Sequence, residues 1–129
     1  MIRTFFASAL ILGLSFTSIL KAEVLYCVTD AGVGFDLKDG YINKQYVNKR
    51  FQLNVDFQNK IMESKKIFLN REVECIFEDQ GGTLYCLSYL GTSLAIHKDS
   101  LKFHYSTMTL APGKSSDDII IYHGQCEKF

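Results

Sequence analysis

Four cysteines, three histidines and one adjacent pair of aspartates are the side chains of this sequence that could carry chemistry. Cys27, Cys75, Cys86 and Cys126 could ligate a metal, form a redox couple or bond to one another. No two of them form the CxxC pair of a thioredoxin-like couple, and none has the short ligand spacing of a zinc site. Structural disulfides are therefore expected. His97, His104 and His123 are predicted to be solvated or locally bonded: His97 falls in a turn and His104 on a polar strand face opposite Ser93, so they need not converge. Asp117 and Asp118 are neighbours on a predicted strand start and would point to opposite faces, which rules against a paired acid and base. No GxSxG, HExxH or phosphate-binding glycine loop occurs, and GVGFDLKDG lacks the third glycine of a dinucleotide fingerprint. No cofactor and no catalytic residue is predicted; an enzyme would rest on nothing beyond the presence of His and Asp.

The elements that must position these residues read almost throughout with a period of two. In RFQLNVDFQ, Arg50 to Gln58, the apolar Phe51, Leu53, Val55 and Phe57 alternate with polar residues, as a half-buried strand requires. Seven further strands are predicted over 24–29, 66–69, 72–77, 83–90, 93–96, 101–110 and 118–126. Between them stand turn residues such as Asp79-Gln80-Gly81-Gly82, Gly91-Thr92, Lys98-Asp99-Ser100 and Pro112 to Ser116. Such short, even spacing predicts an all-β antiparallel meander of about seven or eight strands closing into a small barrel or sandwich. The stretch from Gly32 to Lys49 fits a short strand or a helical turn.

Met-Ile-Arg followed by an apolar run from Phe5 to Leu20 and then Lys21-Ala22 reads as a secretory signal peptide, residues 1–22. Its removal leaves 107 of the 129 residues, 23–129, as one domain in the periplasm or secreted. The signal takes Arg3 and Lys21 of the 14 basic residues with it, leaving 12 against 14 acidic, a formal balance of −2. No basic stripe for nucleic acid is present, and no membrane span is expected after cleavage. Phe129 ends the chain as outer-membrane barrel strands end, yet Glu127, Gln125 and His123 break a lipid-facing alternation.

In an oxidising compartment four cysteines imply two bonds. Cys27 and Cys126 fall on the first and last strands, neighbours in a closed meander, so the predicted pairs are Cys27 with Cys126 and Cys75 with Cys86. A crossed pairing is the alternative. The hairpin CIFEDQGGTLYC poses a conflict of register. Direct opposition of its cysteines needs an even loop centred on Gln80-Gly81, which sets Glu74 against Leu87. A three-residue loop, Gln80 to Gly82, instead aligns Val73 with Tyr89 and Phe77 with Tyr85, a more apolar face, and turns the two cysteines apart. For the next hairpins a four-residue loop HKDS opposes Leu94 to Phe103 and Thr92 to Tyr105, and a Gly91-Thr92 turn opposes Tyr89 to Leu94. Tyr85, Tyr89 and Tyr105 then share the inner face, either as aromatic core or as the lining of a cavity for an apolar or aromatic ligand.

The expected function is an exported, non-enzymatic binding module whose partner is a protein or a small apolar ligand held in lipocalin fashion. With a cysteine early in the first strand, Cys27, and another near the C-terminus, Cys126, the layout resembles the periplasmic inhibitors of c-type lysozyme, which implies action on a protein partner. The Ser-Gly-x-x-Tyr loop of that family is absent, LGTSL being the nearest stretch, so no functional residue carries over.

Overall fold

The computed structural model describes residues 22–36, 42–69, 71–78, 80–89, 91–108 and 118–129. The predicted signal segment and the 112–116 loop lie outside them. Among the described residues nine strands form one antiparallel sheet: β1 (Glu23–Asp36), β2 (Ile42–Tyr46), β3 (Arg50–Asp56), β4 (Ile61–Glu63), β5 (Glu72–Glu78), β6 (Thr83–Leu87), β7 (Thr92–His97), β8 (Lys102–Met108) and β9 (Asp118–Lys128). Each strand from β3 to β8 pairs with the next, while β1 pairs with β3 on one edge and β9 on the other. Eight strands thus close into a barrel, and β2 is an extra strand beside the far half of β1.

Of the region 32–49, residues 32–36 and 42–46 continue the antiparallel pairing of β1 with β3. The register of β1 against β3, Val28 opposite Arg50, runs on unchanged into β1 against β2, Gly32 opposite Tyr46. Residues 47–49 interrupt the partner strand where β1 carries its bulge against β9, between Thr29 and Ala31. A bulge bends its strand, and here it separates the part of β1 that closes the barrel from the part that extends with β2.

Inward positions are apolar as the alternation requires: Leu25 and Cys27 on β1, Phe51, Leu53 and Val55 on β3, Leu84 and Cys86 on β6, Leu94 and Ile96 on β7, Phe103 on β8 are all buried. Each such side chain contributes about 1.5–3 kcal/mol by leaving water. Cys27 stands opposite Cys126, and Cys75 opposite Cys86, and both pairs are disulfide-bonded. The predicted connectivity is therefore found, and the disulfide, not the apolar pattern, agrees with the register of the 75–86 hairpin. Its even connection runs from Glu78 to Thr83, closed by Gly82 N donating to Glu78 O at 3.0 Å with Gly82 at φ 69°.

Three expectations are corrected. Residues 66–69 are not a strand; the strand in this part of the barrel is β4. Ile67 and Phe68 are consecutive yet both buried, which a strand cannot do because it would turn one of them outward. A turn around Ser64 does it instead: the Ser64 hydroxyl donates to Gln52 O at 2.8 Å and Phe68 N donates to Ser64 O at 2.9 Å. Next, β7 and β8 are offset by two residues from the expected register, Leu94 facing Tyr105 and Ile96 facing Phe103. A slip of two preserves the faces. Finally, β6 and β7 are offset by three, Cys86 facing Leu94 and Tyr85 facing Ala95, and this odd slip turns Tyr85 and Leu87 outward. Ser88 N donates to Thr92 O at 2.8 Å with Gly91 at φ 83°, so the glycine-closed short loop expected at 80–82 occurs here.

Candidate site at the open end of the barrel

The two ends of the barrel are built differently. At the end reached by the β3–β4, β5–β6 and β7–β8 connections, the strand pairing runs on into the turns: Lys98 N donates to Gly82 O and Cys126 N to Leu101 O, each at 2.9 Å. Leu101, Ile96, Leu84 and Val55 fill the space behind them. At the other end the alternation continues inward with polar residues. Thr29 follows Leu25 and Cys27 on β1, and Lys49 precedes Phe51 and Leu53. Thr29 is fully buried and fixes Lys49: Lys49 N donates to its hydroxyl at 2.7 Å, and Thr29 N donates to Lys49 O at 2.9 Å.

The Lys49 ammonium lies 4.9 Å from the centroid of the Tyr122 ring, within cation–π range. Tyr122 stacks on Tyr105, centroids 4.7 Å apart and planes 14° from parallel, and Phe51 meets Tyr105 edge-on beneath. Gly32 makes room for this shelf, because a Cβ there would overlap the Tyr122 ring. Burial pushes the Tyr105 phenol above its ordinary pKa, and the charge and hydrogen bond of Lys49 partly oppose that rise. At neutral pH the phenol keeps its proton, so Tyr105 can accept from Lys49 and still donate.

Above the shelf lies an open cavity of about 610 Å³. Tyr105 and Lys49 form its floor; Ile67, Phe68, Leu69, Val73 and Leu87 give it apolar walls; Lys66, Arg71, Glu72, Glu74 and Tyr89 stand at its edge. Lys66 Nζ donates to Arg50 O at 2.8 Å, and the Arg71 guanidinium lies 4.9 Å from the Tyr89 ring centroid.

Of the three predicted tyrosines, Tyr105 and Tyr89 line this cavity, though from different positions: Tyr105 is 3% exposed at the floor and Tyr89 64% exposed at the edge. Tyr85, 48% exposed, is on the outer wall with Ile76 opposite it. The three do not share an inner face. Lys49, Tyr122 and Thr29 were not singled out by sequence reasoning. Their signal was the inward stripe itself, continued one step past the last apolar residue of β1 and β3.

The four cysteines are all consumed in disulfides. His97 Nδ1 accepts from Asp99 N and Ser100 N, at 3.3 and 3.2 Å, within its turn. His104 and His123 are cross-strand partners on the outer wall, and His123 Nδ1 lies 3.8 Å from Asp30. Among the described residues no three His, Cys, Asp or Glu side chains are grouped to hold a metal. Asp117 lies outside the described residues. No family model matches the chain, and neither a curated protein nor a solved structure matches it. The resemblance to lysozyme inhibitors thus stands on layout alone. Two disulfides are typical of periplasmic or extracellular proteins, and among the described residues no helix is long and apolar enough to cross a membrane.

Proposed function

We propose that this chain is an exported, non-enzymatic binding module that holds a small, mainly apolar molecule at the open end of its barrel. The cavity of about 610 Å³ carries this reading, since small-molecule sites span about 300–1,000 Å³ and combine apolar walls with a few polar groups. It differs from a lipocalin-like carrier in depth. Phe51, Leu53, Leu94 and Phe103 fill the barrel below the tyrosine shelf, so the ligand sits at the mouth and not in the interior.

A protein partner is the second reading, favoured by the outer wall. Ile76 and Leu87 are 75% and 69% exposed, and Tyr85 and Ile121 extend the same apolar strip across β5 to β9. Contiguous apolar surface of this kind often marks an interaction site. Amide chemical shifts on titration with dodecan-1-ol distinguish the two. Changes confined to Lys49 and residues 64–74, 88–92 and 105–107 are expected; changes centred on Ile76, Tyr85 and Ile121 favour the outer wall, and no changes refute the mouth as a site.

A further inference from the structure

Resting on the reading of the mouth as a small-ligand site, we infer that its ligand is an amphipathic organic anion. The carboxylate is held at the floor by Lys49 and Tyr105, with the apolar body against Phe68, Leu69 and Val73.

The charge arrangement of the cavity leads to this. At its edge two cations, Lys66 and Arg71, stand with two carboxylates, Glu72 and Glu74, so the edge carries no net charge. At the floor Lys49 is the one charged group among the described residues that line it. Its inward place is fixed by the backbone bonds to Thr29 and not by a flexible stem reaching in from the surface. Among the described residues no carboxylate forms an ion pair with it. Lys49 is half-buried and lines the cavity, so its ammonium is within reach of a ligand, and the ring of Tyr122 and hydroxyl of Tyr105 are weaker partners than a carboxylate.

A bound carboxylate completes the site. It would accept from the Lys49 ammonium and from the Tyr105 hydroxyl, whose proton is retained at neutral pH, so both donors converge on one group. The edge, with as many cations as carboxylates, gives an anionic head no net attraction, which leaves the floor as its favoured place. A cationic amphiphile meets the opposite field, repelled at the floor by Lys49. A neutral one leaves the ammonium unanswered.

Titration calorimetry of the disulfide-bonded protein with dodecanoate, dodecan-1-ol and dodecyltrimethylammonium, each below its micellar concentration, tests this. Dodecanoate is expected to bind at least about tenfold more tightly than the alcohol, the scale of one charge-assisted hydrogen bond, and the cation most weakly. Lys49→Met should bring dodecanoate to the affinity of the alcohol, and Lys49→Arg should keep the preference; thermal melts of both variants verify folding. Equal affinity for acid and alcohol, or a preference that survives in Lys49→Met, overturns the anion claim and leaves the mouth as a neutral-ligand site. Binding of none of the three probes overturns both readings.

Discussion

The closed and open ends of the barrel obey the same alternation and use it to opposite ends. At the closed end the inward Val55, Leu84, Ile96 and Phe103 are apolar and buried, and the strand pairing runs on into the turns. At the open end the inward stripe turns to Thr29, Lys49, Tyr105 and Tyr122. A fold needing only a core would have continued it with Val or Leu. Polar inward residues concentrated at one end, each held by a named neighbour, are unnecessary for closure of the sheet and suit a surface that meets a ligand.

If that division is right, variants at the two ends should separate stability from binding. The largest loss is expected from Cys27→Ser with Cys126→Ser, which opens the bond joining the first and last strands across 99 residues of sequence. The chain-entropy relation gives about 4.7 kcal/mol for such a loop and about 3 kcal/mol or less for the shorter one closed by Cys75 and Cys86. Urea unfolding of the two double variants should rank them in that order. Leu53→Ala, in the filled interior, should cost about 2–5 kcal/mol, with dodecanoate affinity per folded molecule unchanged.

Smaller effects are expected where the shelf is touched. Gly32→Ala forces the Tyr122 ring aside, costing about 1–3 kcal/mol as overpacking does and weakening dodecanoate binding by moving the platform under Lys49. Lys49→Met should change unfolding free energy by no more than about 1 kcal/mol, in either direction, because it replaces a half-buried charge by an apolar side chain of similar length. Loss of stability comparable to that of Leu53→Ala would place Lys49 in the scaffold and blur the distinction between the ends.

The smallest effect belongs to the closed end. Asp56 accepts from Asn59 N at 2.9 Å and from Asn59 Nδ2 at 2.7 Å in the β3–β4 turn. These bonds, the backbone one first, hold its carboxyl below the ordinary value of 3.8. A depressed carboxyl stabilises the fold above its unfolded pKa and loses that contribution as pH falls through the folded one. Asp56→Asn should therefore lower Tm slightly at about pH 7, and the difference should vanish at about pH 2.

The sequence made the strands legible wherever alternation was unbroken, as in Phe51 to Val55, and the cysteine positions identified which strands meet. Registers were harder to read, because each depends on a turn whose length the side-chain pattern does not encode. Leu101 at φ 55° ends a β7–β8 loop displaced by one residue to 98–101, and Gly91 at φ 83° closes a β6–β7 connection in which Ser88 faces Thr92. One slip was even and harmless; the other was odd and sent Tyr85 and Leu87 outside. The apolar pattern misled here because the outer wall is itself apolar, so hydrophobicity alone did not tell inside from outside. Disulfide geometry did, since bonded cysteines must share a face. The floor of the mouth was readable in principle from the odd-numbered stripe Lys49, Phe51, Leu53, Val55, whose first member breaks the apolar rule.

Intermolecular nuclear Overhauser effects between labelled dodecanoate and the protein test most directly whether the open end is the binding end. The account predicts contacts from the carboxylate-proximal methylene to Lys49 and the Tyr105 ring, and from the chain to Phe68 and Val73. Contacts instead to Ile76, Tyr85 and Ile121, or a chain inverted with its carboxylate at Arg71, would contradict it.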